Sequence, residues 1–165
     1  MTPVFVALGS NIDPDARLRA AARLLKRQFA DSRFSRSYRN RAVGFEGDDF
    51  INAVVSFSTD LPVPALLEAL RAIEAACGRG REDPKWGPRA IDLDLLLYGD
   101  EVSEGPGYSL PRRDLLRRAY MLGPLAELAP ALRHPQSGQS IGTHWAAFEQ
   151  REHPLILTAL DLNAA

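Results

Sequence analysis

Arg89-Ala90-Ile91-Asp92-Leu93-Asp94-Leu95-Leu96-Leu97-Tyr98 reads as the clearest strand in the chain. Side chains alternate along a strand, so Asp92 and Asp94 share one face while Ile91, Leu93, Leu95 and Leu97 take the other. At ~3.3 Å per residue the two carboxylates stand roughly 7 Å apart, close enough to reach one hard cation or to bracket two held by a polyphosphate. The alternative is a solvent-facing strand that carries acids by chance, but aspartate is depleted in strands and two on one face repel.

Upstream lies Gly78 to Pro88, a loop rich in glycine, proline and charge. It carries Arg79, Arg81, Lys85 and Trp86 and leads through Arg89 into the acid pair. Arginine forks and lysine point charges are what phosphates need, and a movable cover is what a metal–nucleotide site needs. Before the loop, Leu61-Pro62-Val63-Pro64 opens a helix whose stripe is Leu66, Leu67, Leu70, Ile73 and Cys77. Phe50 to Phe57 reads as a strand with Asn52 set among apolar residues. An amide there needs a hydrogen-bond partner, and its paired donor and acceptor suit either backbone or the edge of a heterocycle.

Asn40 to Asp49 is a polar loop, and Arg33 to Arg39 alternates weakly as a half-exposed strand. Asp15 to Phe29 carries one apolar stripe of a helix, with Asn11 or Asp13 as its cap, and Val4 to Leu8 is a buried strand closed by Gly9-Ser10-Asn11. Downstream, Tyr108 to Leu110 is a short strand, Asp114 to Leu128 a helix interrupted at Gly123-Pro124, and Leu155 to Leu160 a candidate last strand. This order predicts an α+β fold of the ferredoxin-like sandwich type, a mostly antiparallel sheet with helices packed on its faces.

The 165 residues suit one domain, and a net charge of −1 gives no electrostatic case for nucleic acid or an anionic membrane. No glycine-rich phosphate loop or dinucleotide fingerprint is present. An RNA-binding sheet would want exposed aromatics and a basic face, and the strand-face acids argue against it. Cys77 is the single cysteine, which excludes an internal disulfide and fits a small buried hydrophobe. No stretch approaches ~20 uncharged apolar residues, and the start has no basic leader, so a cytoplasmic protein is expected. His134, His144 and His153 lack metal-ligand spacing and read as surface residues.

The acid-pair strand with its Gly87-Pro88-Arg89 lead, the Leu8-Gly9-Ser10-Asn11 turn, Phe50-Ile51-Asn52-Ala53, and Pro124-Leu125-Ala126-Glu127-Leu128-Ala129-Pro130 together resemble the 6-hydroxymethyl-7,8-dihydropterin pyrophosphokinases of folate biosynthesis. The likeness is clearest over residues 3–130, within a single domain spanning 1–165. It implies transfer of the pyrophosphoryl group of ATP to the pterin's hydroxymethyl oxygen, with two magnesium ions held by Asp92 and Asp94. It implies that Arg79 and Arg89 act in catalysis, and that Glu74, Arg79, Arg81, Trp86, Arg89, Arg112 and Arg118 meet ATP. Phe50 and Tyr120 would sandwich the pterin and Asn52 would read its edge, with Asn40, Val43, Gly44 and Trp86 completing that pocket. Small molecules are the expected partners, and no stretch singles out a protein.

The chain departs from the family pattern at Arg112-Arg113, where many relatives have His-Tyr, at Arg71 for a Gln, and at Glu82 for a basic residue. A divergent paralogue using a related pterin alcohol, or a non-catalytic pterin- or nucleotide-binding module, are the competing readings.

Overall fold

The computed structural model describes residues 1–43, 46–78 and 90–165. Its elements run β1 (Thr2–Ser10), α1 (Pro14–Gln28), β2 (Arg33–Phe34), β3 (Tyr38–Asn40), β4 (Phe50–Thr59), α2 (Val63–Ala76) and β5 (Asp92–Tyr98). There follow β6 (Ser103–Gly105), β7 (Tyr108–Leu110), α3 (Ala119–Leu128), α4 (Ile141–Ala147) and β8 (Ile156–Leu157). The main sheet is antiparallel in the order β5-β1-β4-β3-β8, with β2 also on β4, and β6 and β7 form a separate hairpin. The α+β class, with helices on both faces of an antiparallel sheet, agrees with the sequence reading. None of the helices among the described residues is long and apolar enough to cross a membrane.

Alternation along β1 divides the core. Val4, Val6 and Leu8 pack with Leu18, Ala22 and Leu25 of α1 and with Leu66, Leu70 and Ile73 of α2. Phe5 and Ala7 pack on the other side with Met121, Leu122 and Leu125 of α3 and Ile141 of α4. Cys77 ends α2 and is buried as a small hydrophobe.

Several expectations need correction. Leu97 does not follow Leu93 and Leu95. Phe5 pairs with Leu97 but Val6 with Leu95, so a bulge at Leu96 turns Leu97 to the face of the aspartates, where it joins Leu96 in the α3 cluster. The Arg33–Arg39 segment is not one strand but two, because Ser35–Ser37 leaves the ladder between β2 and β3. Asp13 occupies the N-cap position of α1 but makes no side-chain cap bond, and Asn11 donates instead to the Asp48 carbonyl at 3.2 Å.

Neither Gly123 nor Pro124 breaks a helix. A 3-10 turn at Leu115–Arg117 gives way to α3 at Arg118, and α3 then runs through both residues. Pro124 forfeits one backbone bond, but the burial of Met121, Leu122 and Leu125 outweighs it. Gly123 is there for contact: a Cβ on it would lie 2.9 Å from Leu155 and 3.0 Å from the Trp145 ring. His134 is buried, not a surface residue. Its Nδ1 accepts the backbone N–H of Gln136 and of Ser137, both at 3.2 Å, which closes a turn, and burial pushes its pKa below the ordinary histidine value. The last strand shrinks to Ile156–Leu157.

Gly123→Ala gains helix propensity but overpacks the α3–α4 contact, and a net loss of about 1–3 kcal/mol is expected. Urea unfolding should show a lower midpoint with an unchanged slope.

Candidate active site

Strand register gathers the expected residues on the α3 face of the sheet. Tyr38 pairs with Asn52, Asn52 with Gly9, and Gly9 with Asp92, so one row crosses four strands. The next row sets Val54, Ala7 and Asp94 side by side, and Asn40 pairs with Phe50 at the outer end. Asp92 and Asn52 are therefore two strand spacings apart, roughly 10 Å between backbones.

Asn52 lies across Gly9. A Cβ at Gly9 would sit 2.5 Å from Asn52 Oδ1, so the Leu8-Gly9 step needs glycine for space. The Asn52 amide donates to Asn40 Oδ1, and Asn40 donates in turn to the Arg41 carbonyl at 3.1 Å. Gly9 and Ser10 continue β1 rather than closing it in a turn, because both pair with β4, and Ser10 and Glu74 act as fasteners. Ser10 donates its hydroxyl to the Ala90 carbonyl at 2.5 Å, which ties the end of β1 to the approach to β5. Glu74 is buried at the end of α2, where its carboxylate accepts the Leu93 N–H at 2.8 Å and holds β5 between the two acids.

On the other side of the acids, the backbone N–H of Arg112 donates to the Leu96 carbonyl at 2.9 Å. That bond, made at the bulge, brings the Arg112 side chain beside Asp94, with Nη1 at 3.5 Å from Oδ1. Arg112 Nε donates to Asp114 at 2.9 Å, and Arg118 Nε stands 3.9 Å from the other Asp114 oxygen. Asp94, Arg112, Asp114 and Arg118 thus form an alternating row of charges. Asp114 was not anticipated; its spacing of four residues before Arg118 is the local signal for it.

Asn40, Val43, Arg118 and Tyr120 line a cavity of about 310 Å³ that Arg117 and His153 also border. These last two were not expected in the site, and His153 comes from the tail that follows α4. Of the residues named from the sequence, Glu74, Asp92, Asp94, Arg112, Arg118, Asn40, Val43, Phe50, Asn52 and Tyr120 fall on this end of the sheet. Arg79, Arg81, Trp86, Arg89 and Gly44 lie outside the described residues.

Comparison with known proteins matches residues 5–130 to the family described as 7,8-dihydro-6-hydroxymethylpterin-pyrophosphokinase (HPPK). The chain belongs to this family. It is similar to the 2-amino-4-hydroxy-6-hydroxymethyldihydropteridine pyrophosphokinase of Synechocystis sp., 42% identical over 139 residues that cover 82% of this chain and 71% of that one. The proteins of the same name from Pseudomonas aeruginosa and Methylorubrum extorquens are 40% and 44% identical over 137 residues, which cover 80% of this chain and 83% and 85% of theirs. Among solved structures, an HPPK-DHPS in complex with substrates superposes with a TM-score of 0.68 at 12% identity, over 92% of this chain and 44% of that one. The wild-type Plasmodium falciparum HPPK-DHPS gives 0.68 at 12% identity, over 91% and 45%. This chain thus spans less than half the length of those two, and the likeness supports the fold.

Family membership makes the electrostatics of the acid pair informative. Burial, and then the charge of Asp92, push the Asp94 carboxyl up to about 7, with Arg112 offsetting part of the rise. Burial likewise raises the Tyr120 hydroxyl to about 12, with Asp114 adding to it, so Tyr120 enters the site as a neutral ring.

An unfolded aspartate titrates near 3.9. Between about pH 4 and 7 the folded chain therefore keeps a proton on Asp94 that the unfolded chain has lost, and stability falls as pH rises through that window. Asp94→Asn removes this slope. In chelator-treated buffer the variant should gain on the parent by on the order of 2–4 kcal/mol from pH 5 to pH 8, read from urea midpoints. Equal slopes for the two proteins would show that burial and the Asp92 charge do not raise the Asp94 carboxyl.

Proposed function

We propose that the chain transfers the pyrophosphoryl group of ATP to the hydroxymethyl group of 6-hydroxymethyl-7,8-dihydropterin and releases AMP. The observation that supports this most directly is the row Asn52–Gly9–Asp92. It sets a heterocycle-reading amide two strands from a carboxylate pair on one open end of the sheet.

In this reaction the hydroxymethyl oxygen forms a bond to the β-phosphorus of ATP. The bond from that phosphorus to the α,β-bridging oxygen breaks, AMP leaves with the electron pair, and the hydroxyl proton is lost. Such transfers ask the protein for positioning and charge neutralisation rather than covalent help. Asn52, fixed by Asn40 and supported on Gly9, reads the pterin edge, while Phe50 and Tyr120 take its two ring faces. The cavity bordered by Asn40, Val43 and Tyr120 is of a size to admit a bicyclic ring. Gly44 and Trp86 complete the pocket in this reading.

Magnesium fits the donor set, because Asp92 and Asp94 offer two hard oxygen ligands on one face and substrate phosphates supply the rest. When bound there it would neutralise the triphosphate, and the two-ion arrangement of the family is the form proposed. Arg112 and Arg118, held at fixed reach by Asp114, are placed for phosphate oxygens. Arg79, Arg81 and Arg89 join them in this proposal as phosphate ligands. Glu74 acts at the ATP side by holding β5 in place. A cytoplasmic location belongs to the same reading, since ATP and pterin intermediates are small soluble substrates.

AMP release from ATP and magnesium, followed with and without 6-hydroxymethyl-7,8-dihydropterin, tests the proposal. AMP that forms only with the pterin is expected. Pterin binding without AMP formation would favour another acceptor or a binding module. Asp94→Ala should lower turnover by more than about 10²-fold, the scale of losing one charge-stabilising group, with an unchanged circular dichroism spectrum. Near-normal turnover with magnesium would remove Asp94 from the cation site.

A further inference from the structure

The short segment Ser35–Ser37 contains a register device. Phe34 pairs with Val55, and an unbroken ladder would put residue 37 opposite Asn52; instead Tyr38 occupies that place. One extra residue has been inserted, as in a β-bulge. Faces alternate along a strand, so without the insertion Tyr38 and Asn40 would turn to the α1–α2 side of the sheet. Asn40 would then be unable to accept the Asn52 amide.

Two residues hold the insertion from opposite sides. Ser35 fastens it to β4: its N–H donates to the Val54 carbonyl at 2.8 Å, and its hydroxyl accepts the Val54 N–H at 2.9 Å. Glu127 fastens it to α3. Its Oε2 accepts the backbone N–H of Arg36 at 2.7 Å, and its Oε1 accepts Arg36 Nε at 3.1 Å together with the Tyr38 hydroxyl. One carboxylate therefore binds both the inserted segment and the first residue of β3.

The electrostatics agree with a committed network. Burial pushes the Glu127 carboxyl up, but the bonds from Tyr38 and Arg36 outweigh it and leave the pKa below its ordinary value. Burial and the Glu127 bond raise the Tyr38 hydroxyl to about 12. Glu127 belongs to the Pro124–Pro130 stretch, and the reaction as described above uses none of its atoms.

We propose that Glu127 is a positioning residue for the pterin: it fixes the bulged register that turns Asn40 toward Asn52, and so sets the orientation of the amide that reads the ring. This rests on the assignment of Asn40 and Asn52 to the pterin pocket. Glu127 itself touches neither the ring nor the phosphates, so its loss acts on pterin affinity and not on the ATP side. An ordinary stabilising contact would behave differently, lowering the unfolding midpoint and leaving the kinetic constants of the folded enzyme unchanged.

The test is steady-state kinetics with ATP and 6-hydroxymethyl-7,8-dihydropterin on wild type, Glu127→Ala, Glu127→Gln, Tyr38→Phe and Asn52→Ala, with amide exchange followed at Arg39 and Asn40. Glu127→Ala should raise the pterin KM about tenfold, leave the ATP KM within about twofold, and speed exchange in β3. Glu127→Gln keeps an acceptor for the Arg36 N–H and should recover most of the affinity. A folded Glu127→Ala enzyme with an unchanged pterin KM overturns the proposal. Should that variant not fold, Tyr38→Phe carries the test, with a rise of about threefold expected and no change overturning it. An Asn52→Ala enzyme with an unchanged pterin KM overturns the pterin assignment itself, and the proposal with it. A raised KM for Asn52→Ala beside an unchanged one for Glu127→Ala overturns the register role alone.

Discussion

β1 has hydrogen-bonded neighbours on both edges and apolar cover on both faces, and this double enclosure is the constraint on which the site depends. β4 pairs with it from Thr2 to Ser10 and β5 from Val4 to Gly9, while helices close both sides. A slip of one residue would exchange Val4, Val6 and Leu8 with Phe5, Ala7 and Gly9 between the two cores. It would also drive Leu8 under Asn52, where even a single added carbon meets Oδ1 at 2.5 Å. Packing therefore fixes the register, and the register fixes which polar groups meet. Asp92, Gly9, Asn52 and Tyr38 form one row because an apolar strand has no second way to lie.

Two bulges adjust this frame, one on each side of the β1–β4 pair. At Leu96 the bulge turns Leu97 into the α3 core and leaves a carbonyl for the Arg112 N–H, which seats the guanidinium near Asp94. At Ser35–Ser37 the bulge turns Asn40 toward Asn52 and gives the Arg36 N–H to Glu127. In both cases a backbone group freed from the ladder is taken up by a residue from the polypeptide that follows β7. Bulges beside functional sites commonly re-aim side chains, and here one serves the acid end of the row and the other the amide end.

Much of this was legible in the residues. Asp92 and Asp94 on one strand face follow from alternation, and an amide inside Phe50–Phe57 announces a partner without naming it. What stayed hidden depended on pairing between distant segments. Leu97 was misplaced because a bulge belongs to two strands at once, and Arg33–Arg39 looked continuous for the same reason. Gly123-Pro124 carried a breaker's signature, yet its glycine answers to Trp145 and Leu155, which arrive from more than twenty residues downstream. α4 was missed although Ser140 caps it by accepting the Thr143 N–H; seven residues are too few to establish a helical stripe. His134 looked like a surface residue because its partners are backbone N–H groups, which no side-chain spacing reveals.

Arg112-Arg113, where the sequence resemblance leads one to expect His-Tyr, can be weighed against the charges that surround it. A histidine beside the acid pair would carry a charge that depends on pH near neutrality, since its ordinary value lies near 6.5. The two groups would titrate as a coupled pair, and the histidine's positive charge would be lost as the pH rises. Arginine keeps its charge throughout, and Asp114 holds it at a fixed distance by accepting Nε at 2.9 Å. The Asp94–Arg112–Asp114–Arg118 row therefore alternates in sign above the Asp94 titration, and neutral pH does not discharge its cationic members. A guanidinium locked in that row presents fewer orientations than a free side chain, so what Arg112 supplies is a permanent charge at one place.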